Sequence, residues 1–338
     1  TVSEGDGTLT LTATQSLATG TATVVNLSLS GNASLSSDYT IPSLSMTIPA
    51  GDLSANATIT LLDDNVSEST ETIVASIDNV TGVNGASENG TQQATITLTD
   101  NDPVPKVTLS VHPSSSLSEN GGSVTLTASL DRVASSATVV SLSFDNSTAS
   151  SGDYTLSSST LTIAAGSLSE NATLTGVDDN VTEGAETIKV DISSVTGGNG
   201  ATDNATQQSL TLIDDDTASL VVSADNVTVS ETGTTSTFTV KLSSEPTSSV
   251  TVSLGLNGSD ELSVSDNLSF GPDNWSAAQT VTVTGVDDNV SDDNQTSTLT
   301  LSSSSSDSYY SGLSDNVTVT TTDNDIASLT VVESSGTT

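Results

Sequence analysis

Three times along the chain two aspartates and an asparagine lead to a further acid: Asp63-Asp64-Asn65-Val66-Ser67-Glu68, Asp178-Asp179-Asn180-Val181-Thr182-Glu183 and Asp287-Asp288-Asn289-Val290-Ser291-Asp292. A second acid-rich run follows each: Asp100-Asn101-Asp102, Asp214-Asp215-Asp216 and Asp323-Asn324-Asp325. Calcium takes six to eight oxygen ligands, and carboxylates on loops supply them readily. Two carboxylates about 4 Å apart repel by roughly 4 kcal/mol at an effective dielectric of 20, so several at one place would splay apart without a cation. A lone Asp pair commonly just ends a strand. Three clusters in register, each with a distant glutamate, point to metal.

The composition supports that chemistry and excludes others. There are 42 acidic residues against 4 basic ones, a formal charge of -38. Phosphate binding needs clustered cations, so nucleic acid is excluded as a partner. The acids recur along the whole chain, which excludes an acidic tail. There is no cysteine, hence no disulfide and no thiolate site. The single histidine, His112, has no nucleophile to serve, and no G-x-S-x-G or phosphate-cradling loop is present, so no enzymatic activity is expected. A sugar site wants aromatic platforms, and aromatics make up 2% of the chain. Trp275 is read as a core or strand-end anchor, and calcium-dependent carbohydrate binding stands as an alternative. No apolar run approaches the roughly 20 residues that span a bilayer, so no membrane insertion is expected in this segment. Without an initiator methionine or leader, the chain is expected to be processed or excerpted.

The elements that would hold these acids repeat. Asp63 returns as Asp178 and Asp287, shifts of 178 − 63 = 115 and 287 − 178 = 109 residues. Ser3-Glu4, Ser118-Glu119 and Ser230-Glu231 mark the starts. Ser37-Asp38-Tyr39-Thr40 matches Gly152-Asp153-Tyr154-Thr155, and Ile48-Pro49-Ala50-Gly51 matches Ile163-Ala164-Ala165-Gly166. Within each copy apolar residues alternate with Ser, Thr and Asn, as in Val25, Leu27, Leu29 and Ile73, Ala75, Ile77. Period two means half-buried strands, and short strands with frequent Gly, Asn and Asp turns read as antiparallel sandwiches. The expected division is 1–102, 103–216 and 217–325, with 326–338 a further first strand. The run Ser302 to Ser306 is expected to be a loop.

Together the Ser-Glu opening, the Asp-Tyr turn, the Ile-Pro-Ala-Gly stretch, the Asp-Asp-Asn cluster and the closing Asp-Asn-Asp resemble the Calx-beta domain across essentially the whole chain. Copy three, with Phe270-Gly271-Pro272-Asp273-Asn274-Trp275 and no Asp-Tyr pair in register, resembles a divergent branch. The resemblance implies an all-β architecture of tandem immunoglobulin-like sandwiches, arranged as an elongated rod, with calcium held in loops at one end of each.

The expected ligands in copy one are Glu4, Asp38, Asp63, Asp64, Glu68, Asp100 and Asp102. Those in copy two are Glu119, Asp153, Asp178, Asp179, Glu183, Asp214, Asp215 and Asp216. Copy three offers Glu231, Asp287, Asp288, Asp292, Asp323 and Asp325; losing the Asp-Tyr turn removes a ligand, so a weaker site or fewer ions are expected there. Glu71 and Glu186 are read as strand starts or loop positioners and left outside the set. Only Pro103 to Pro105, and then Thr217, separate each closing acid run from the next copy, so ions there would sit beside the hinge and stiffen the string.

Of 22 asparagines, 17 stand in N-x-[ST], more than the Ser and Thr content alone predicts. Asn65, Asn180 and Asn289 lie beside the acid loops and read as strand starts. The glycosylation candidates are Asn26, Asn32, Asn56, Asn79, Asn89, Asn146, Asn171, Asn204, Asn226, Asn257, Asn267, Asn274, Asn294 and Asn316, surface positions of an exported protein. Copy one opens inside its expected first strand, while Ala327-Ser328-Leu329-Thr330-Val331 parallels Ala218-Ser219-Leu220-Val221-Val222. The expectation is either an excerpt of a longer array or a head-to-tail polymer joined by strand donation. The function expected is an extracellular structural or adhesive fibre of a cell surface, its partners being neighbouring modules or further copies of the chain and a surface receptor or glycan. A calcium-sensing regulatory array is the alternative.

Overall fold

The computed structural model describes residues 1–82, 85–145, 147–257 and 260–332; Asn146 lies outside them. It holds three successive β-sandwiches. In module 1 one sheet orders β1 (Val2–Ser3), β8 (Gln93–Thr99), β7 (Glu71–Gly82), β3 (Thr23–Gly31) and β5 (Ser45–Ile48). The other holds β2 (Thr8–Thr14), β6 (Ser54–Leu61) and β4 (Tyr39–Thr40). In module 2, β10 (Ser116–Ser118), β18 (Gln208–Ile213), β16 (Glu186–Gly197), β12 (Thr138–Ser143) and β14 (Thr160–Ile163) form the first sheet. Its second sheet orders β13 (Tyr154–Leu156), β15 (Ser169–Gly176), β11 (Ser123–Leu130), β9 (Lys106–His112) and β17 (Thr202–Asp203). Module 3 pairs β20 (Asn226–Ser230), β27 (Ser314–Thr322), β26 (Gln295–Ser305), β22 (Val250–Gly255) and β24 (Leu268–Phe270). Opposite them lie β19 (Leu220–Val222), β21 (Thr235–Leu242), β25 (Gln279–Gly285) and β23 (Leu262–Val264).

Period-two patterning produces this directly. In β11, Val124, Leu126, Ala128 and Leu130 are buried while the residues between them are not, because successive side chains of a strand point to opposite faces. Module 2 closes around one core and module 3 around another. Trp275 packs on the edge of the module 3 core as an anchor. The serine run departs from expectation. Ser302–Ser305 end β26 rather than forming a loop. Ser303 continues the inward face of Leu299 and Leu301, and its hydroxyl donates to the Tyr310 carbonyl at 2.6 Å and accepts from the Leu313 amide at 2.9 Å. Burying a hydroxyl is tolerable when its hydrogen bonds are made.

One pairing recurs and matters for the acids. The short strand that opens each module runs parallel to the one that closes it: Ser3 beside Thr99, Ser118 beside Ile213 and Ser230 beside Thr322. The next residue on each side is therefore Glu4 with Asp100, Glu119 with Asp214 and Glu231 with Asp323.

Candidate metal centres at the module poles

The register just described carries the opening glutamate and the closing aspartate to the same pole. Antiparallel pairing of β7 with β8 sets Glu71 opposite Leu98, and pairing of β4 with β6 sets Tyr39 opposite Leu61. Asp38 and the Asp63-Asp64 pair thus flank the same end. Two trios close to within 4.8 Å in module 1: Glu4, Asp100 and Asp102, and Asp38, Glu68 and Glu71. Module 2 brings together Asp153, Glu183 and Glu186, and module 3 Glu231, Asp323 and Asp325.

Backbone amides fix several of these carboxylates. Asp100 accepts from the Glu68 amide at 2.8 Å and the Asp102 amide at 2.7 Å. Asp214 does the same with Glu183 at 2.6 Å and Asp216 at 2.7 Å. Asp323 accepts from Asp292 at 3.1 Å and Asp325 at 2.6 Å. Asp64, Asp179 and Asp288 each accept the amide two residues on, at 2.7 Å, in an Asx turn that shapes the loop. Asp63 and Asp287 hold the side-chain amides of Asn101 and Asn324 at 3.1 and 2.9 Å. In module 2 Asp215 stands where those asparagines stand, and Asn120 donates to it at 2.9 Å. Asp178 is exposed at the same rim.

The electrostatics fit a missing positive charge. Burial, then a hydrogen bond with Asp100, pushes Glu4 up to about 7. Burial, then Asp38, does the same for Glu71, and burial followed by Asp153 for Glu186. Glu119 rises to about 7 through burial and then the charges of Glu183 and Asp214. Burial ahead of neighbouring carboxylates also raises Glu68, Glu183, Asp102, Asp216 and Asp325. Among the described residues, seven buried carboxylate oxygens have no hydrogen-bond partner: Glu4 Oε1, Glu71 Oε2, Asp102 Oδ2, Glu186 Oε2, Glu231 Oε1, Glu261 Oε2 and Asp325 Oδ2. Buried polar atoms are ordinarily paired. Lone pairs aimed at one another across a few ångströms suit a hard divalent cation.

Three residues that the sequence reading left out belong here. Glu71 and Glu186 do begin strands, β7 and β16, but they also join the second trio of their modules. The third is Glu261. Leu62, Val177 and Val286 donate their amides to the carbonyls of Asp38, Asp153 and Glu261, each at 2.9 Å; Glu261 therefore occupies the turn position of the Asp-Tyr pair. Module 3 thus has an acid at this turn, a glutamate in place of the aspartate, and burial followed by Asp288 and Asp292 raises its pKa. What module 3 does exchange is the strand-start acid. Gln295 faces Thr321 two residues before Asp323, where Glu71 and Glu186 face Leu98 and Leu212.

The same loops form the joints. Ser67, buried, receives a hydrogen bond from the Ser135 amide at 3.1 Å and donates its own amide to Val133 at 3.3 Å, a strand-like bridge from module 1 to module 2. The Asn199 side chain donates to Ser67 O and to Ser135 Oγ. At the second joint Glu245 donates its amide to Asn180 O at 2.6 Å, and Thr182 Oγ1 meets Ser244 Oγ at 2.7 Å. Ser244 is held by the buried Tyr310 hydroxyl, which donates to its carbonyl at 2.7 Å. Ser67 and Thr182 immediately precede Glu68 and Glu183, so candidate ligand and joint are adjacent residues.

Of the glycosylation candidates within the described residues, Asn26 is half-buried and donates to Asn79 at 2.5 Å, while the others are exposed. Among the described residues no helix is long and apolar enough to cross a membrane.

Tandem sandwiches with acid-lined poles define a class of repeat module, and the Calx-beta domain model matches residues 1–102, 104–217 and 213–325. The chain belongs to the Calx-beta family. It is similar to the solved CBD12 from CALX1.2, at 15% identity over 62% of this chain and 94% of that one, TM-score 0.27. It is similar to the calcium binding domain CBD12 of CALX1.1 at 15% identity over the same shares, TM-score 0.28. Sidekick-1 immunoglobulin domains 1–5 are similar at 13% identity over 95% of this chain and 59% of that one, TM-score 0.31. The comparison with curated proteins returned no match.

Proposed function

We propose that the chain is a non-enzymatic extracellular element, structural or adhesive, whose joints are stiffened by calcium. The observation that carries this reading is the adjacency of Ser67 to Glu68 and of Thr182 to Glu183. When bound, calcium supplies the positive charge that the pole carboxylates lack. Glu4, Asp100 and Asp102, with Asp38, Glu68 and Glu71, would hold it in module 1; Asp153, Glu183 and Glu186 in module 2; Glu231, Asp323 and Asp325 in module 3. These residues then do the mechanical work: Asp100 and Asp214 fix the amides of Glu68 and Glu183, and a loop locked at that residue presents Ser67 or Thr182 to the next module in one conformation. With the carboxylates unscreened, mutual repulsion loosens the loop and with it the bridge.

Exposed sequons in all three modules, Asn56, Asn171 and Asn316 among them, and an overall charge of -38 support a glycosylated surface of an exported fibre, with further copies, a receptor or a glycan as partner. The same joint supports a second reading, a regulatory calcium sensor, since Calx-beta domains are calcium-binding regulatory domains that occur in tandem. Titration calorimetry separates the two. Extracellular modules bind calcium at about 0.1–1 mM and sensors at about 0.1–10 μM. Millimolar dissociation constants support the fibre, micromolar ones the sensor, and no calcium binding contradicts both.

A further inference from the structure

The loop that follows β16 is built for one conformation. Gly197, Gly198, Asn199 and Gly200 all lie at positive φ, with values of 76°, 54°, 53° and 94°, and the amides of Gly200 and Ala201 both return to the Gly197 carbonyl, at 3.1 and 3.2 Å. Glycine adopts that left-handed path readily, and asparagine is among the few other residues that tolerate it. The Asn199 side chain is also a tie between modules. Its Nδ2 donates to Ser67 O of module 1 and, at 2.8 Å, to Ser135 Oγ. Its Oδ1 accepts from Ser136 Oγ at 2.5 Å, and its own amide donates back to that hydroxyl at 3.1 Å. An ionised aspartate offers acceptors only, so the bond to the Ser67 carbonyl depends on the amide nitrogen. Module 3 shows what an acid does at this place. Asn199 lies two residues past Gly197, which faces Thr138, and Asp307 lies two residues past Ser305, which faces Val250. The buried Asp307 carboxylate turns onto its own module, accepting the amides of Thr247 and Tyr309 at 2.8 and 2.9 Å, and the second joint is made through Ser244 and Tyr310 instead.

Asn199 is followed by glycine, whose missing side chain leaves an asparagine carboxamide most open to attack by the next backbone nitrogen. We propose that Asn199 is a modification site: it deamidates when the joint between modules 1 and 2 opens, and the acid formed there keeps the joint open. In this step the Gly200 nitrogen bonds to Asn199 Cγ, the Cγ–Nδ2 bond breaks, and ammonia leaves with the proton that Gly200 gave up. Water then opens the five-membered imide at either carbonyl, giving aspartate or its β-linked isomer. The sum is amide plus water to acid plus ammonia, with nothing oxidised or reduced. In the closed joint both reacting groups are occupied: Ser67, Ser135 and Ser136 hold the carboxamide, and Gly197 holds the Gly200 amide. The reaction therefore follows the fraction of molecules in which the joint is open. Its product sets a new carboxylate against the Ser67 carbonyl and beside Glu68, in a chain whose formal charge is already -38. The Ser67 carbonyl then loses its donor, which opposes closing.

This inference goes beyond calcium stiffening and does not rest on it, so the test holds calcium constant. Unglycosylated residues 1–338 and the Ser67→Pro form are incubated at neutral pH, and peptide mapping by mass spectrometry follows Asn199 beside the exposed Asn89-Gly90 pair. In the unsubstituted chain Asn199 is expected to convert at least tenfold more slowly than Asn89. Ser67→Pro is expected to raise the Asn199 rate several-fold and to leave that of Asn89 unchanged. Ser135→Ala, which removes one tie without altering module 1, is expected to give a smaller rise in the same direction. Asn199→Asp, the product made in advance, is expected to broaden the distances between modules 1 and 2 in small-angle scattering as Ser67→Pro does. Equal Asn199 rates in all three chains overturn the inference. So does an Asn199 that stays intact in the Ser67→Pro chain until Asn89 is fully converted, or Asn199→Asp scattering identical to that of the unsubstituted chain.

Discussion

At the scale of single residues, burial and the crowding of acids set how the chain responds to pH. Glu4, Glu71, Glu119 and Glu186 are each raised to about 7 from 4.5. Between those values the folded, ion-free chain binds more protons than the unfolded one, so its stability falls as pH rises from about 4.5 through 7. Thermal melts in chelator are therefore expected to show the highest Tm near pH 4.5–5 and a decline toward pH 8; excess calcium should flatten or reverse that slope, because it competes with the same protons. A flat profile in chelator would mean that the carboxylates are not confronting one another. Exchanging the strand-start residue tests the module difference: Gln295→Glu is expected to strengthen calcium binding by module 3, and Glu71→Gln to weaken the second module 1 site, each by about tenfold or more in calorimetry.

How much of this was legible in the sequence also divides by residue. Glu4 and Asp100 were, because their clusters recur in register. Glu71 carried a signal that was not used: it stands two residues before Ile73, which is fully buried, and strand period two places it on the same inward face. Glu261 carried almost none. Its equivalence to Asp38 lies in a carbonyl that accepts the Val286 amide, a backbone relation that side-chain identity does not record. Gln295 was hidden for the same reason, since its place is fixed by pairing with Thr321.

Between strands the decisive relations are register and edge. Parallel pairing of the opening and closing strands is what delivers Glu4 to Asp100, and the alternating pattern alone does not specify which strands pair. The run Ser302–Ser305 shows the opposite failure: composition suggests a loop, yet Ser303 satisfies its hydroxyl and keeps the strand's alternation. Leu126→Ala removes a fully buried side chain of β11 and should cost about 2–5 kcal/mol. Chemical denaturation of the variant checks the cost; unchanged stability would show that Leu126 does not hold the module 2 core together. At the joints, Ser67→Pro removes the amide that donates to Val133 and should uncouple modules 1 and 2 without unfolding either.

On the proposed reading, ion binding and mechanical continuity are one event for the whole molecule, because the acid-lined poles of modules 1 and 2 are also their joints to the following module. The measurement that tests this most directly is small-angle X-ray scattering of residues 1–338 in millimolar calcium and in chelator. The expected result is a larger maximum dimension with a narrow distribution of inter-module distances in calcium, and a broadened, more compact distribution in chelator. Ser67→Pro should show partial broadening even with calcium present. Identical scattering in the two conditions, with calcium binding independently verified, would contradict the claim that the ions stiffen the array.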